Sequence, residues 1–195
     1  MARGERLITV VYETHALSTD NEAGVATGWL HGELSPRGRE LAAALGERRR
    51  NDGIAAVFAS DRRRAFETAE IAFGETEIPI FLDWRLRECD YGELTGGPAE
   101  RVGSEVKNGV HTPFPGGESY RDVVARTACF LNDLFLRWDD KRLVVIGHAA
   151  TRWALQHIVD RERLEDVVGA PFEWQEGWEY RLTGEAFTRI EPAQP

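Results

Sequence analysis

Several protein classes are set aside by what this chain of 195 residues has little of. Its two cysteines, Cys89 and Cys129, lie far apart in neither a Cys-x-x-Cys nor a Cys/His spacing, so neither a disulfide framework nor a zinc site is expected. Cys89 sits beside acidic residues that disfavour its thiolate, which argues against a cysteine nucleophile. No apolar run approaches the length needed to span a bilayer, and the opening Met-Ala-Arg-Gly-Glu-Arg leads into a strand rather than a signal-peptide core. A cytoplasmic protein with no membrane partner is expected. Positive charge is in deficit: a formal net charge of -9 opposes binding to nucleic acid, and an anionic ligand must be held by a local field within a pocket. Repeats, low-complexity tracts and interdomain linkers are lacking too, so one domain over residues 1–195 is expected.

With 42% hydrophobic and 29% charged residues, the chain can bury one substantial core. Short β-branched runs alternate with helical patterns. Leu7 to Tyr12, Ile54 to Ser60, Ile78 to Leu82 and Leu143 to Ile146 read as strands. Ser35-Pro36 supplies an N-cap and a first-turn proline for a helix to about Arg50, with Leu41 and Leu45 on its apolar side. Further helices are expected from Arg62 to Phe73, from Glu118 to about Trp138 and from Thr151 to Val159. The apolar side of the second of these is read as Val123, Val124, Cys129, Phe130, Leu134 and Leu136. Residues 93–117, rich in glycine and proline, read as a surface loop or a lid. Near the end, Trp178 to Leu182 and Ala186 to Ile190 flank a Thr183-Gly184-Glu185 turn as a hairpin. The fold class expected is α/β: a single three-layer α/β/α domain with a largely parallel sheet that the hairpin makes mixed.

Two of the strands end in histidine: Val10-Val-Tyr-Glu-Thr-His15 and Leu143-Val-Val-Ile-Gly-His148. Open α/β sheets bind ligands beyond the carboxyl ends of their strands, so both imidazoles can meet over one pocket, one as nucleophile and one as phosphate ligand.

Six further pieces give this pair a context. His15 is followed by Ser18 and Asn21, then Thr27-Gly28-Trp29; Leu34-Ser-Pro-Arg-Gly38 opens a helix; Ser60-Asp-Arg-Arg-Arg64-Ala65 leads through Thr68-Ala69. Leu86-Arg-Glu88-Cys-Asp90-Tyr-Gly92 and Pro115-Gly-Gly-Glu-Ser119 come after. The ordered set resembles the histidine phosphatase superfamily, which includes cofactor-dependent phosphoglycerate mutases. That resemblance implies His15 as nucleophile, Glu88 as acid and base with Asp90 as the nearby alternative, and Arg64, Asn21 and His148 as phosphate ligands, His148 counting also as catalytic. It implies Ser18, Thr27 and Gly28 as substrate contacts, with no cofactor and no metal. A small phosphorylated molecule is the implied partner, and a homo-oligomer is compatible with it.

The signature of that family is Arg-His-Gly, whereas this chain reads Thr14-His15-Ala16. Loss of a bidentate arginine lowers the rate by roughly 10²-fold or more unless another donor replaces it. Arg62, Arg63 and Arg152 are the candidate replacements. The span from Glu88 to His148 reads as too short for the enclosing insertion of a mutase, which favours hydrolysis. Two other readings remain: a phosphate-ligand-binding or regulatory protein impaired in turnover, and, ranked lower, a mutase.

Overall fold

The computed structural model describes residues 6–170 and 175–183. Its centre is a five-stranded sheet of order β3-β2-β4-β1-β5, formed by β1 (Leu7–Thr14), β2 (Ile54–Ala59), β3 (Ile80–Leu82), β4 (Arg142–Gly147) and β5 (Trp178–Thr183). The first four run parallel and β5 pairs antiparallel to β1, so the sheet is mixed as expected. The second half of the expected hairpin, residues 186–190, lies outside the described residues.

Strand alternation explains the layers. Val10, Tyr12, Leu143 and Val145 pack on one face with α5 (Tyr120–Arg137) and α6 (Ala149–Leu155). Val11, Val144 and Ile146 point to the other, against α2 (Pro36–Arg49) and α3 (Arg63–Phe73). A sheet covered on both faces needs strands that are apolar throughout, and β1 and β4 are such strands. The Ser35 hydroxyl accepts from the Gly38 amide at 3.1 Å, capping α2. A Cβ on Gly38 would overlap the Leu17 carbonyl oxygen, so the small residue lets the loop after β1 lie on the start of α2.

Three expectations are corrected. Residues 93–117 are not a plain loop: they contain α4 (Ala99–Glu105) and bury Val102, Val110 and Phe114 in a third core with Tyr91, Tyr120 and Trp153. Seven helical residues are too few to show a period, which is why the pattern hides them. On α5 the buried stripe is Val123, Thr127, Phe130, Leu131 and Leu134, while Cys129 and Leu136 are exposed. At 100° per residue, positions 129 and 136 turn away from the stripe through 123, 127 and 134. The helix after β4 begins at Ala149 and closes with a π-helical turn at Gln156–Asp160. Two short helices, α1 (Thr19–Glu22) and α7 (Leu164–Val167), complete the set. No described helix is long and apolar enough to cross a membrane.

Candidate active site

Register brings the two histidines together. Thr14 pairs with Gly147 across the parallel ladder, and the His15 amide continues it by donating to the Gly147 carbonyl at 2.9 Å. The imidazoles of His15 and His148 then stand 5.0 Å apart, centroid to centroid. His148 is wholly buried at the start of α6. Its amide donates to the Thr151 hydroxyl at 2.9 Å, and its carbonyl accepts from the Tyr12 hydroxyl at 2.6 Å. A Cβ on Gly147 would meet both hydroxyl oxygens at 2.6 Å, so glycine is needed for this approach.

Arg64, on the first turn of α3, is 2% exposed and ties the pair together. Its Nε donates to His15 Nε2 at 3.2 Å, Nη1 to the Leu30 carbonyl at 3.1 Å, and Nη2 to the Gly28 carbonyl at 3.0 Å and to His148 Nδ1 at 3.1 Å. Guanidinium can only donate, so both ring nitrogens it touches accept. The Ala16 carbonyl can only accept, so His15 Nδ1, 2.7 Å away, carries the proton. His15 therefore presents an Nε2 lone pair. Neutral His148 carries its proton on Nε2, a buried atom without a hydrogen-bond partner among the described residues.

Burial and the Arg64 charge lower the pKa of His15 to about 3. His148 is pushed well below the ordinary histidine value by the same two causes. Both rings are neutral near pH 7. Glu88 is buried, and desolvation raises its pKa against the pull of its Cys89 amide contact, Arg64 and Arg126. Its Oε1 accepts from the Cys89 amide at 2.7 Å. His15, Glu88, Asn21 and Ala149 line one end of a cavity of about 630 Å³.

The other expected residues have distinct surroundings. Asn21 Oδ1 accepts from the Ser18 amide at 3.1 Å and hydroxyl at 2.8 Å, so both residues form the capping box of α1, and Asn21 keeps its Nδ2 to donate. The Thr27 hydroxyl donates to Asp20 at 2.9 Å, and the Gly28 carbonyl orients Arg64. Asp90 Oδ1 accepts from the Gly92 amide at 3.0 Å, whereas Glu88 faces the cavity. Thr14 lines the cavity and brings no charge to it.

None of the three candidate replacement arginines lines that space. Arg62 donates to the Trp29 carbonyl at 2.6 Å and pairs with Asp61 at 3.2 Å; Arg63 pairs with Glu33 at 2.7 Å; Arg152 lies 4.4 Å over the Trp178 ring. Trp174, at the start of the aromatic 174–180 segment, lies outside the described residues.

Sequence reasoning missed the groups that hold the site in place. Trp29 Nε1 and Arg126 Nη2 both donate to the Glu88 carbonyl, at 2.8 and 3.0 Å. Arg126 is held by Glu118 at 3.0 Å, and Ser119 caps α5. Trp29 and Glu118 stood within recognised motifs, but a role in supporting Glu88 has no local signal.

Two strand-end imidazoles, a buried arginine bonded to both and a buried carboxyl lining the same cavity as His15 are the groups brought together here. Residues 14–167 match the family model of the histidine phosphatase superfamily (branch 1), and the chain belongs to that superfamily. A 2,3-bisphosphoglycerate-dependent phosphoglycerate mutase from Methylobacterium sp. (strain 4-46) is 31% identical over 180 residues, covering 85% of this chain and 86% of the relative. Among solved structures, Bacillus stearothermophilus YhfR superposes with a TM-score of 0.78 at 25% identity, covering 87% of this chain and 88% of that one. A mycobacterial glucosyl-3-phosphoglycerate phosphatase complexed with VO3 shares the fold, with a TM-score of 0.73 at 24% identity over 83% of this chain and 85% of that one. The mutase relative is of similar length to this chain, so a short span between Glu88 and His148 does not separate mutases from phosphatases.

Proposed function

We propose that the protein is a phosphomonoesterase that hydrolyses a small phosphorylated molecule in the cytoplasm through a phosphohistidine. The observation that carries this reading is a neutral His15, protonated on Nδ1 and accepting from Arg64 at Nε2, that lines one cavity with Glu88. Nε2 attacks phosphorus, the ester P–O bond breaks, and protonated Glu88 gives its proton to the departing alkoxide. A water then attacks the phosphohistidine, Glu88 takes its proton, and the N–P bond breaks to release inorganic phosphate. The His148 Nε2–H, the remaining Arg64 N–H and Asn21 Nδ2 are the donors for the non-bridging oxygens. Ser18, Thr27 and Gly28 act through the placement of Asn21, Asp20 and Arg64.

Hydrolysis is preferred to internal transfer because a mutase must hold its dephosphorylated intermediate with charge on the walls beside His15. Besides Glu88 and Asn21, the residues lining the cavity with His15 include Ala16, Leu17 and Leu41, which bring no charge, and, among the described residues, the one cation in the lining, Arg48, is paired with Glu13. One observation favours the second reading, a phosphate-binding protein without turnover. Four of the five Arg64 N–H groups are already engaged by protein acceptors, and residue 14 adds no guanidinium.

Incubation with 4-nitrophenyl phosphate tests the reading. Turnover that His15→Ala abolishes, with a phosphoryl adduct on the wild-type chain in intact-mass analysis, supports it. Tight vanadate binding without turnover establishes the second reading instead.

A further inference from the structure

The cavity that begins at His15 does not stop at the reaction centre. It is lined as well by Leu17, by Leu41, Leu45 and Arg48 along α2, and by Glu13, which Arg48 contacts. Its volume of about 630 Å³ falls within the roughly 300–1,000 Å³ of sites that enclose drug-sized ligands, and far exceeds what a phosphoryl group alone requires.

Among the described residues around Arg48 there is no surplus positive charge. Arg49 holds Glu13 through Nη2 at 2.7 Å and Nε at 3.0 Å, and pairs with Asp52 at 3.0 Å. Arg48 reaches the same Glu13 carboxylate only at 3.4 Å, and its buried Nε has no hydrogen-bond partner among the described residues. Arg48 and Arg49 are thus matched by Glu13 and Asp52, with Glu176 a third carboxylate 4.0 Å from Arg48. What Arg48 offers a ligand is Nη1, which has the Glu176 carboxylate only at 4.0 Å, rather than a free positive charge.

We propose that this arm is the leaving-group subsite. It takes the alcohol portion of a phosphomonoester that is apolar along its length and ends in a neutral hydrogen-bond acceptor read by Arg48. The proposal deepens the phosphatase reading and rests on it for the identity of the reacting end. A glycerate fits the arm poorly, because its carboxylate would be stripped of water against Leu17 and Leu41 without a free cation to receive it. Thr14 belongs to the same logic: a long cationic side chain at this cavity-lining position would take space that the alcohol needs.

The test compares kcat/KM for n-propyl, n-butyl and n-hexyl phosphate, ω-hydroxyhexyl phosphate and phosphoglycerate. Each added methylene raises the value about fourfold, so hexyl exceeds propyl by roughly sixtyfold, with phosphoglycerate lowest. Leu41→Asp flattens this series; Leu41→Ala weakens it and serves if the aspartate variant does not fold. Arg48→Met lowers ω-hydroxyhexyl phosphate about fivefold relative to hexyl phosphate. A series independent of length, or a preference for phosphoglycerate, overturns the subsite while turnover abolished by His15→Ala leaves the phosphatase reading intact. If no ester turns over, calorimetry with the matching alkylphosphonates decides. Affinity that climbs with length and is flattened by Leu41→Asp supports the subsite although the phosphatase reading has failed, and affinity independent of length, or none, overturns it.

Discussion

Arg64 Nε stands 3.2 Å from His15 Nε2, the atom that attacks phosphorus in the proposed reaction. An N–H therefore occupies the lone pair of His15 Nε2, and an incoming phosphoryl group must compete for it. The same guanidinium is fixed by two backbone carbonyls and His148, so its plane is set before any ligand arrives.

Arg64→Lys is expected to lower kcat/KM by about 10²- to 10³-fold, because an ammonium cannot reproduce the planar fork. Buried carbonyl partners lose donors as well, at a cost of about 1–3 kcal/mol of stability. Steady-state kinetics and urea unfolding read the two effects separately. Kinetics within a few-fold of wild type would remove Arg64 from the phosphate cage.

Glu88→Gln leaves the buried shape intact and removes the transferable proton. With an alkyl phosphate, whose alkoxide is a poor leaving group, the rate is expected to fall by about 10²- to 10⁴-fold. With 4-nitrophenyl phosphate, which needs little protonation, the first step should fall much less in a burst experiment. Equal losses on both esters would assign the proton to another group.

Thr14→Arg returns a cation to a position that lines the cavity. Inorganic phosphate should bind at least about tenfold tighter, the value of one charge-assisted contact near 1.5 kcal/mol. The longer esters should lose by the same substitution what phosphate gains, since the new side chain occupies the arm. Calorimetry for phosphate and kcat/KM for hexyl phosphate give the two numbers; a folded variant unchanged in both would count against Thr14 as the cause of the open arm.

The pH dependence follows from the depressed histidines. His15 binds its proton in the folded chain only near pH 3, but near 6.5 when unfolded. Below 6.5 the unfolded state thus holds more protons, and stability falls as pH drops from 6.5 toward 3, by about 1.4 kcal/mol per pH unit for each such histidine. His148 acts in the same direction. Denaturant midpoints between pH 7 and 4 should show this loss, with a shallower slope for His15→Asn. Activity behaves otherwise: His15 stays neutral across that range, so the fall of kcat/KM at high pH belongs to Glu88 losing its raised proton.

Much of this was readable from short stretches of chain. The β-branched runs ending in His15 and His148, and the Ser35-Pro36 helix start, act through neighbours in sequence, so their patterns showed both the layers and the meeting of the two imidazoles. Interactions across long sequence distances were not readable. Tyr12 supports His148 from 136 positions away, and Arg126 reaches Glu88 across 38. The occupation of Arg64 by the Gly28 and Leu30 carbonyls, which decides how much of that cation is left for phosphate, was equally hidden. Asn21 shows the opposite difficulty, since a short-range capping pattern and a phosphate-ligand pattern share one residue.

β1 and β4 are the two inner neighbours of the sheet, with β5 beside β1 and β2 beside β4, and the pair Thr14–Gly147 closes their parallel ladder. Amides there exchange with solvent only when the whole domain opens, whereas those of α4 and its neighbouring turns exchange through smaller, local openings. His15 and His148 therefore follow directly on the slowest-exchanging strands, and α4 with its neighbouring turns can breathe without pulling them apart.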